Sequence, residues 1–308
     1  MNMRTVFSMG LMAAAINLCG SNLLKNGDFS QLNSIKLPAG WDVRKSGTAE
    51  AKLENQVLTM SANAPGSMVF IIQKNLPVQP GKEYVFSCDM TAAVDSEYMC
   101  YIEYRPAANA PLRSINTRNI KMPTGSEQFR LTFKLPEGAS GSYIVLRVNK
   151  GVMSFKNAVL KELTSKLPAE SLIKNGDFLR LTPAKLPLNW GCRGQGIKVA
   201  YADDGNILQL PAKTLVIQHN LPLVPGKRYN LKLQARSSDQ ANKLMIYFEW
   251  RLDGKLRSHI LPLRNAPANW TDLQINFTFP NKAAKAYFVL RSLEGNVEFR
   301  NVVLTESK

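Results

Sequence analysis

Two five-residue segments carry side chains suited to recognition chemistry: Tyr101-x-Glu103-x-Arg105 and Tyr247-x-Glu249-x-Arg251. Each joins an aromatic ring, a carboxylate and a guanidinium at a spacing of two. Side chains two apart in a β-strand share a face. The ring can pack on the apolar C–H face of a sugar. The carboxylate accepts, and the guanidinium donates, hydrogen bonds to hydroxyls. The competing reading of the same residues is a cross-strand ion pair satisfied within a solvated sheet. In the second half of the chain, Lys232, Gln234 and Arg236 alternate in the same way and extend the candidate ligand-binding set.

Other chemistries lack their residues. Only 2 of 308 residues are His, and no Cys-x-x-Cys occurs, so a zinc ribbon is excluded. There is no G-x-S-x-G elbow, P-loop, H-E-x-x-H or G-x-G-x-x-G. His219 stands where the first half has Lys74, and His259 lies in a loop-like stretch. Glu103 and Glu249 fall in different halves, whereas a glycosidase pair needs carboxyls within about 10 Å. Asp203-Asp204 reads as a turn. The expectation is a non-catalytic protein with no catalytic residue and no metal ligand set.

The elements that must position these side chains are strands. Residues 84–90, 99–105, 129–135, 143–148 and 155–160 are short, rich in aromatic and β-branched residues, and bounded by Gly, Pro, Asn or Asp. No stretch after residue 21 shows a helical period. Along residues 84–90, Tyr84, Phe86, Cys88 and Met90 form one apolar face. Tyr229, Leu231, Leu233 and Ala235 form the matching face in the second half. In the next strand Cys100, Ile102 and Tyr104, matched by Ile246, Phe248 and Trp250, take the core side. That leaves Tyr101, Glu103 and Arg105 outward, and likewise Tyr247, Glu249 and Arg251. Trp41 and Trp190 follow Pro-containing turns and are expected as core anchors; Trp270 is expected to cover one edge of its own domain.

The chain is internally duplicated. LKNGDF at 24–29 recurs as IKNGDF at 173–178, and LPAGW at 37–41 recurs as LPLNW at 186–190, both displaced by 149 positions. QKNLP at 73–77 with PGK and Tyr84 recurs as QHNLP at 218–222 with PGK and Tyr229, displaced by 145. YIVLR at 143–147 matches YFVLR at 287–291, and FKNAVL at 155–160 matches FRNVVL at 299–304. A period of this size describes two whole domains rather than a solenoid repeat. The fold expected is all-β: two tandem jelly-roll β-sandwich domains, at 22–163 and 172–308, joined by a linker at 164–171.

Asn-Gly-Asp-Phe at each start, Pro-Gly-Lys-x-Tyr in the middle and an Asn-x-Val-Leu-like last strand resemble a known family. They look like CenC-type carbohydrate-binding modules of families 4, 9 and 22, with the galactose-binding-like jelly roll, over nearly all of 22–163 and 172–306. The resemblance implies a sandwich that binds polysaccharide in a groove on one sheet, and often a structural calcium. Two departures bear on that calcium. Ser30 and Leu179 stand where the family commonly has Glu, and Asn157 and Asn301 where its last strand commonly has Asp. A calcium site wants several oxygens, with carboxylates supplying charge.

Net charge is +16. Residues 22–165 hold 17 basic and 12 acidic side chains, and residues 166–308 hold 21 and 11, so the excess concentrates in the second domain. An anionic partner, including acidic polysaccharide, suits that balance; solubility charge is the other reading.

Residues 1–21 read as an export signal: Arg4, an apolar run from Val6 to Leu18, then Cys19, Gly20 and Ser21. Lipoprotein processing at Cys19 is an alternative. No later segment is long and apolar enough to span a bilayer. Export places the protein outside the cell or at its surface and disfavours nucleic acid. Of the remaining cysteines, Cys88 and Cys100 sit on successive strands, either as a disulfide or as two small core residues. The function expected is a secreted polysaccharide-binding protein; the alternative is a structural or adhesion protein that uses the sandwiches as spacers or protein-binding modules.

Overall fold

The computed structural model describes residues 22–116, 118–182, 184–202, 206–260 and 265–307. The expected export signal, Cys19 and the Asp203-Asp204 turn lie outside the described residues. The chain divides into two compact units after Glu162. Residues of the expected linker bond within the second unit: the Ser165 hydroxyl donates to Asp177, and the Ser171 hydroxyl donates to Ile173 O at 3.3 Å.

Ten strands build the first unit: β1 (Asp42–Ser46), β2 (Glu50–Glu54), β3 (Val57–Ala62), β4 (Met68–Lys74), β5 (Glu83–Ala92), β6 (Ser96–Arg105), β7 (Arg113–Ile115), β8 (Ile120–Met122), β9 (Gly125–Lys134) and β10 (Ser140–Glu162). All pairings are antiparallel. One layer runs β1-β4-β10-β6, with β7 and β8 both on β6. The other runs β2-β3-β10-β5-β9. The long β10 serves both layers. It leaves the first at Lys150, paired with Glu97, and enters the second at Gly151, paired with Ala62.

The second unit repeats the plan: β11 (Gly191–Arg193), β12 (Lys198–Ala200), β13 (Ile207–Leu210), β14 (Thr214–Leu221), β15 (Arg228–Arg236), β16 (Lys243–Leu252), β17 (Lys255–Ile260), β18 (Thr271–Thr278), β19 (Ala284–Glu294) and β20 (Val297–Glu306). Its layers are β11-β14-β19-β16-β17 and β12-β13-β20-β15-β18.

Alternation along each strand fills the space between the layers. In β5 the inward set Tyr84, Phe86, Cys88 and Met90 is at most 2% exposed. It packs with Cys100, Ile102, Ile144 and Leu146 of the facing layer in one core. The second unit closes its own core around Tyr229, Leu231, Phe248, Phe288 and Phe299. Trp41 and Trp190 are core anchors. Each ring packs against a Phe, at centroid distances of 5.7 and 5.5 Å, and each indole N–H donates to an Asn carbonyl. Cys88 and Cys100 are free thiols inside the core, and burial pushes both well above the ordinary thiol range.

The repeated Asn-Gly-Asp-Phe segment is a device of the fold. The Asn26 side-chain amide donates to Gln31 O and Ala39 O and accepts from Gln31 N, knotting the entry loop. Asn175 does the same with Arg180 and Leu188. The following glycine presses on the last strand. A Cβ on Gly27 would stand 2.1 Å from Ala158 O, and one on Gly176 2.0 Å from Val302 O. The repeated tyrosine of Pro-Gly-Lys-x-Tyr accepts a backbone N–H through its hydroxyl, Gln79 N to Tyr84 and Val224 N to Tyr229. Among the described residues no helix is long and apolar enough to cross a membrane.

Candidate functional site

In both units the outward side of one layer carries a second, smaller apolar patch set among charges. In the first unit, strand register places Arg44, Phe70, Arg147 and Met99 in one row across β1, β4, β10 and β6. The next row is Asp42, Ile72, Val145 and Tyr101, and the third is Lys74, Tyr143, Glu103 and Ser114. Ile72, Tyr101 and Val145 are buried together, with Phe70, Met99 and Tyr143 packed on them, apart from the main core. Lys74 pairs with Asp42 at one end of the face, at 2.5 Å.

The second unit places related residues at the same register. Arg193, Leu215, Arg291 and Met245 form the first row, and Gly191, Ile217, Val289, Tyr247 and Ile260 the second. Tyr287, Glu249 and Ser258 form the third, with His219 edge-on to Tyr287 at 5.3 Å. His219 replaces Lys74 and lies above Gly191, where a Cβ would stand 3.3 Å from its Nε2. Tyr247 is half-buried and its neighbour Ile260 is 52% exposed, whereas Tyr101 in the first unit is only 9% exposed. The second face is therefore the more open of the two.

The electrostatics follow from this packing. Burial pushes the Tyr101 hydroxyl up, the Glu103 charge adds to the shift, and the neighbouring Arg147 opposes it. Tyr247 is likewise pushed up by burial first and Glu249 second, against Arg291 and Arg193. Glu103 is held above the ordinary carboxylate range by burial, offset by Arg44 from the opposite edge of the sheet. Each face thus sets a tyrosine, a carboxylate and two arginines around a floor of aliphatic side chains. Such a surface offers apolar contact to a sugar ring together with acceptors and donors for its hydroxyls.

Tyr101, Glu103, Tyr247 and Glu249 point outward and belong to these faces. Arg105 and Arg251 point the same way but are tied to the turns that follow them: Arg105 Nη1 donates to Ala110 O at 2.8 Å, and Arg251 Nη1 to Gly254 O at 3.0 Å. The arginines that meet the tyrosines are Arg147 and Arg291. Sequence reasoning did not single them out, although Tyr143-x-x-x-Arg147 and Tyr287-x-x-x-Arg291 recur in register and their parity sets them outward. Arg44 and Arg193, each three residues after a repeated tryptophan, were missed as well.

Lys232, Gln234 and Arg236 do not join Tyr247. They lie on β15, in the other layer, and face away from the opposite side of the sandwich. There Arg236 pairs with Glu298, and Gln234 accepts from Arg300 Nε at 2.7 Å and donates to Asp272 at 2.9 Å. Trp270 covers this cluster, with the Arg236 and Arg300 guanidinium carbons 4.6 and 4.3 Å from its ring centroid.

The calcium implied by the family resemblance does not fit the residues at the positions in question. Leu179 offers no side-chain oxygen, and Ser30 is engaged with Asp28 Oδ1. The Asn157 amide donates to Asp89, and the Asn301 amide donates to Gln234, which turns N–H groups toward their neighbours. Among the described residues no three His, Cys, Asp or Glu side chains cluster as metal ligands.

Residues 21–154 match the family described as "Carbohydrate binding domain". Among solved structures, the tandem CBM22-1–CBM22-2 domain of Paenibacillus barcinonensis Xyn10C is similar at 11% identity and a TM-score of 0.41, over 94% of this chain and 98% of that one. A CBM4 structure is similar at 14% identity and a TM-score of 0.37, over 45% of this chain and 99% of that one. The CBM22-1 xylan-binding domain of the same Paenibacillus protein is similar at 12% identity and a TM-score of 0.36, over 48% and 97% of the two chains. No curated protein matches the chain.

Proposed function

We propose that the whole chain is an exported, non-catalytic protein that binds a polysaccharide on the outward Tyr–Glu–Arg face of each domain, a reading supported by the match of residues 21–154 to the family described as "Carbohydrate binding domain". The observation that carries this reading is the recurrence of that face. Core positions recur because packing demands them. Glu103 and Arg147 lie outside the main core and are only half-buried, yet they reappear as Glu249 and Arg291 at the same register, beside the matched pair Tyr101 and Tyr247. A sugar ring would rest on the tyrosine and the aliphatic floor, with its hydroxyls bonded by the glutamate and the arginines. Each face alone would bind weakly, and covalent linkage of two faces would raise the avidity for a polymer. Export is part of the proposal and rests on the order of residues in 1–21: a basic start, an apolar run and a small-residue end.

The test is retention of the purified chain in native gels cast with the neutral polymers xylan, β-glucan or mannan. At least one polymer should retard it, and Tyr247→Ala combined with Arg291→Ala should abolish the retardation. A chain that no polysaccharide retards, or whose retardation survives that double substitution, ends the proposal. Amino-terminal sequencing of the mature protein tests export; retention of Met1 rejects it.

A further inference from the structure

We propose that the second domain carries a separate binding surface for anionic polysaccharide, on the outer side of the β12-β13-β20-β15-β18 sheet, with Trp270 as its platform.

Trp270 stands one residue before Thr271, which pairs with Ala235, so its indole projects beside Arg236 on the outward side. The guanidiniums of Arg236 and Arg300 both lie against the ring, a contact in which the π face attracts the cation. Glu298 fixes Arg236 through Nε, and Glu298 itself accepts from Gln209 at 2.7 Å. Gln234 fixes Arg300 through Nε. The ring and both charges are therefore held in place before any ligand arrives.

The first domain shows that the fold does not require this arrangement. At the positions of Arg236 and Trp270 it has Thr91 and Ser126, which share a hydroxyl–hydroxyl bond of 2.9 Å. The same sandwich closes without the aromatic ring and without the Arg236 cation, and it keeps only Lys156 at the position of Arg300. The cluster in the second domain is thus an addition to the fold, placed on a half-buried surface.

Charge names the ligand class. Lys198, Arg228 and Lys232 join Arg236 and Arg300 on this side, against the carboxylates of Glu298 and Asp272. The domain-wide excess of 21 basic over 11 acidic residues in 166–308 points the same way. An indole suits the apolar face of a sugar ring. Guanidiniums suit its carboxylate or sulfate. The ligand class rests on the carbohydrate-binding reading of the chain, but the site is distinct from the Tyr247 face.

The experiment compares four full-length proteins: the wild type, Trp270→Ala, Lys232→Glu, and a groove variant combining Tyr101→Ala with Tyr247→Ala. Each is run in native gels cast with polygalacturonate, chondroitin sulfate or neutral xylan, at low and high salt. The expected result is about a tenfold loss of affinity for the anionic polymers with Trp270→Ala, the scale of one well-packed aromatic contact. Neutral-polymer binding should be unchanged, and the groove variant should keep its anionic retention. Polygalacturonate alone would assign a uronate, and chondroitin sulfate alone a sulfate. Lys232→Glu keeps the test valid if Trp270→Ala melts the domain, since Lys232 is exposed on the strand surface, and it too should weaken the anionic arm. Equal retention of all four proteins on the anionic gels overturns the proposal. So does a Trp270-dependent affinity for single-stranded DNA that exceeds affinity for either glycan. Anionic binding that requires Trp270 in a chain with no neutral binding would uphold this site and reject the groove.

Discussion

Arg147 stands beside Tyr101 from the neighbouring strand, one register row away, where its charge opposes the upward push of burial on the phenol, and Arg291 stands to Tyr247 in the same relation. Arg147 Nε donates to Asn149 Oδ1 at 2.6 Å, which holds that guanidinium beside the ring, at the point where a bound sugar would present its hydroxyls. Arg147→Ala and Arg291→Ala should each weaken polysaccharide binding by about tenfold, the value of one charge-assisted hydrogen bond. Arg105→Ala and Arg251→Ala, which release turn carbonyls instead, should change it less than about twofold. Isothermal titration with a soluble oligosaccharide separates the two pairs. Equal losses for both would show that the turn-bound arginines also reach the ligand.

The two faces should contribute unequally. Tyr101 is almost covered by its neighbours, whereas the row of Tyr247 ends in the exposed Ile260. Tyr247→Ala should therefore cost more affinity than Tyr101→Ala. Tyr101→Ala should instead lower the stability of its own domain by about 2–4 kcal/mol, as expected when a buried ring is truncated. Calorimetry of the two variants beside the binding titration reads both effects, and the reverse ranking would refute the assignment of the open face.

Glu103 predicts a pH dependence of stability. Burial raises its folded pKa above the ordinary carboxylate value of 4.5. The folded state then binds more protons than the unfolded one, so this residue's contribution turns unfavourable as pH rises through 4.5 toward the raised value. Glu103→Gln removes the charge and should stabilise the first domain at pH 7 while changing little at pH 4. Denaturant midpoints at the two pH values check this; a larger gain at pH 4 would contradict it.

Gly176 is required by a close approach. A Cβ there would stand 2.0 Å from Val302 O, and backbone cannot yield as a flexible side chain does. Gly176→Ala should destabilise the second domain by about 2–4 kcal/mol and leave the first domain's unfolding transition in place. Gly27→Ala, 2.1 Å from Ala158 O, should do the converse. Differential scanning calorimetry resolves the two transitions.

The outward orientation of Tyr101 and Glu103, the inward set of β5 and the twin domains were all readable from residue order. The chain repeats its turn-forming motifs at matching intervals, and the pleat of a strand sends alternate side chains to opposite sides whatever the strand pairs with. The core role of Trp41 and Trp190 was readable for the same reason, from their place after a repeated turn.

Which strands lie side by side is another matter. Period-two alternation says that Arg236 and Arg251 both leave the core, but not that β15 and β16 belong to opposite layers. The partners of Tyr101 sit on β4 and β10, far along the chain, and reach it only through long-range antiparallel pairing. So local backbone geometry, written in the sequence, determined the face on which each side chain stands. Tertiary pairing decided its neighbours: Arg147 rather than Arg105 at the tyrosine, Arg236 with Trp270 on the far side, and Cys88 facing Cys100 across the core as free thiols.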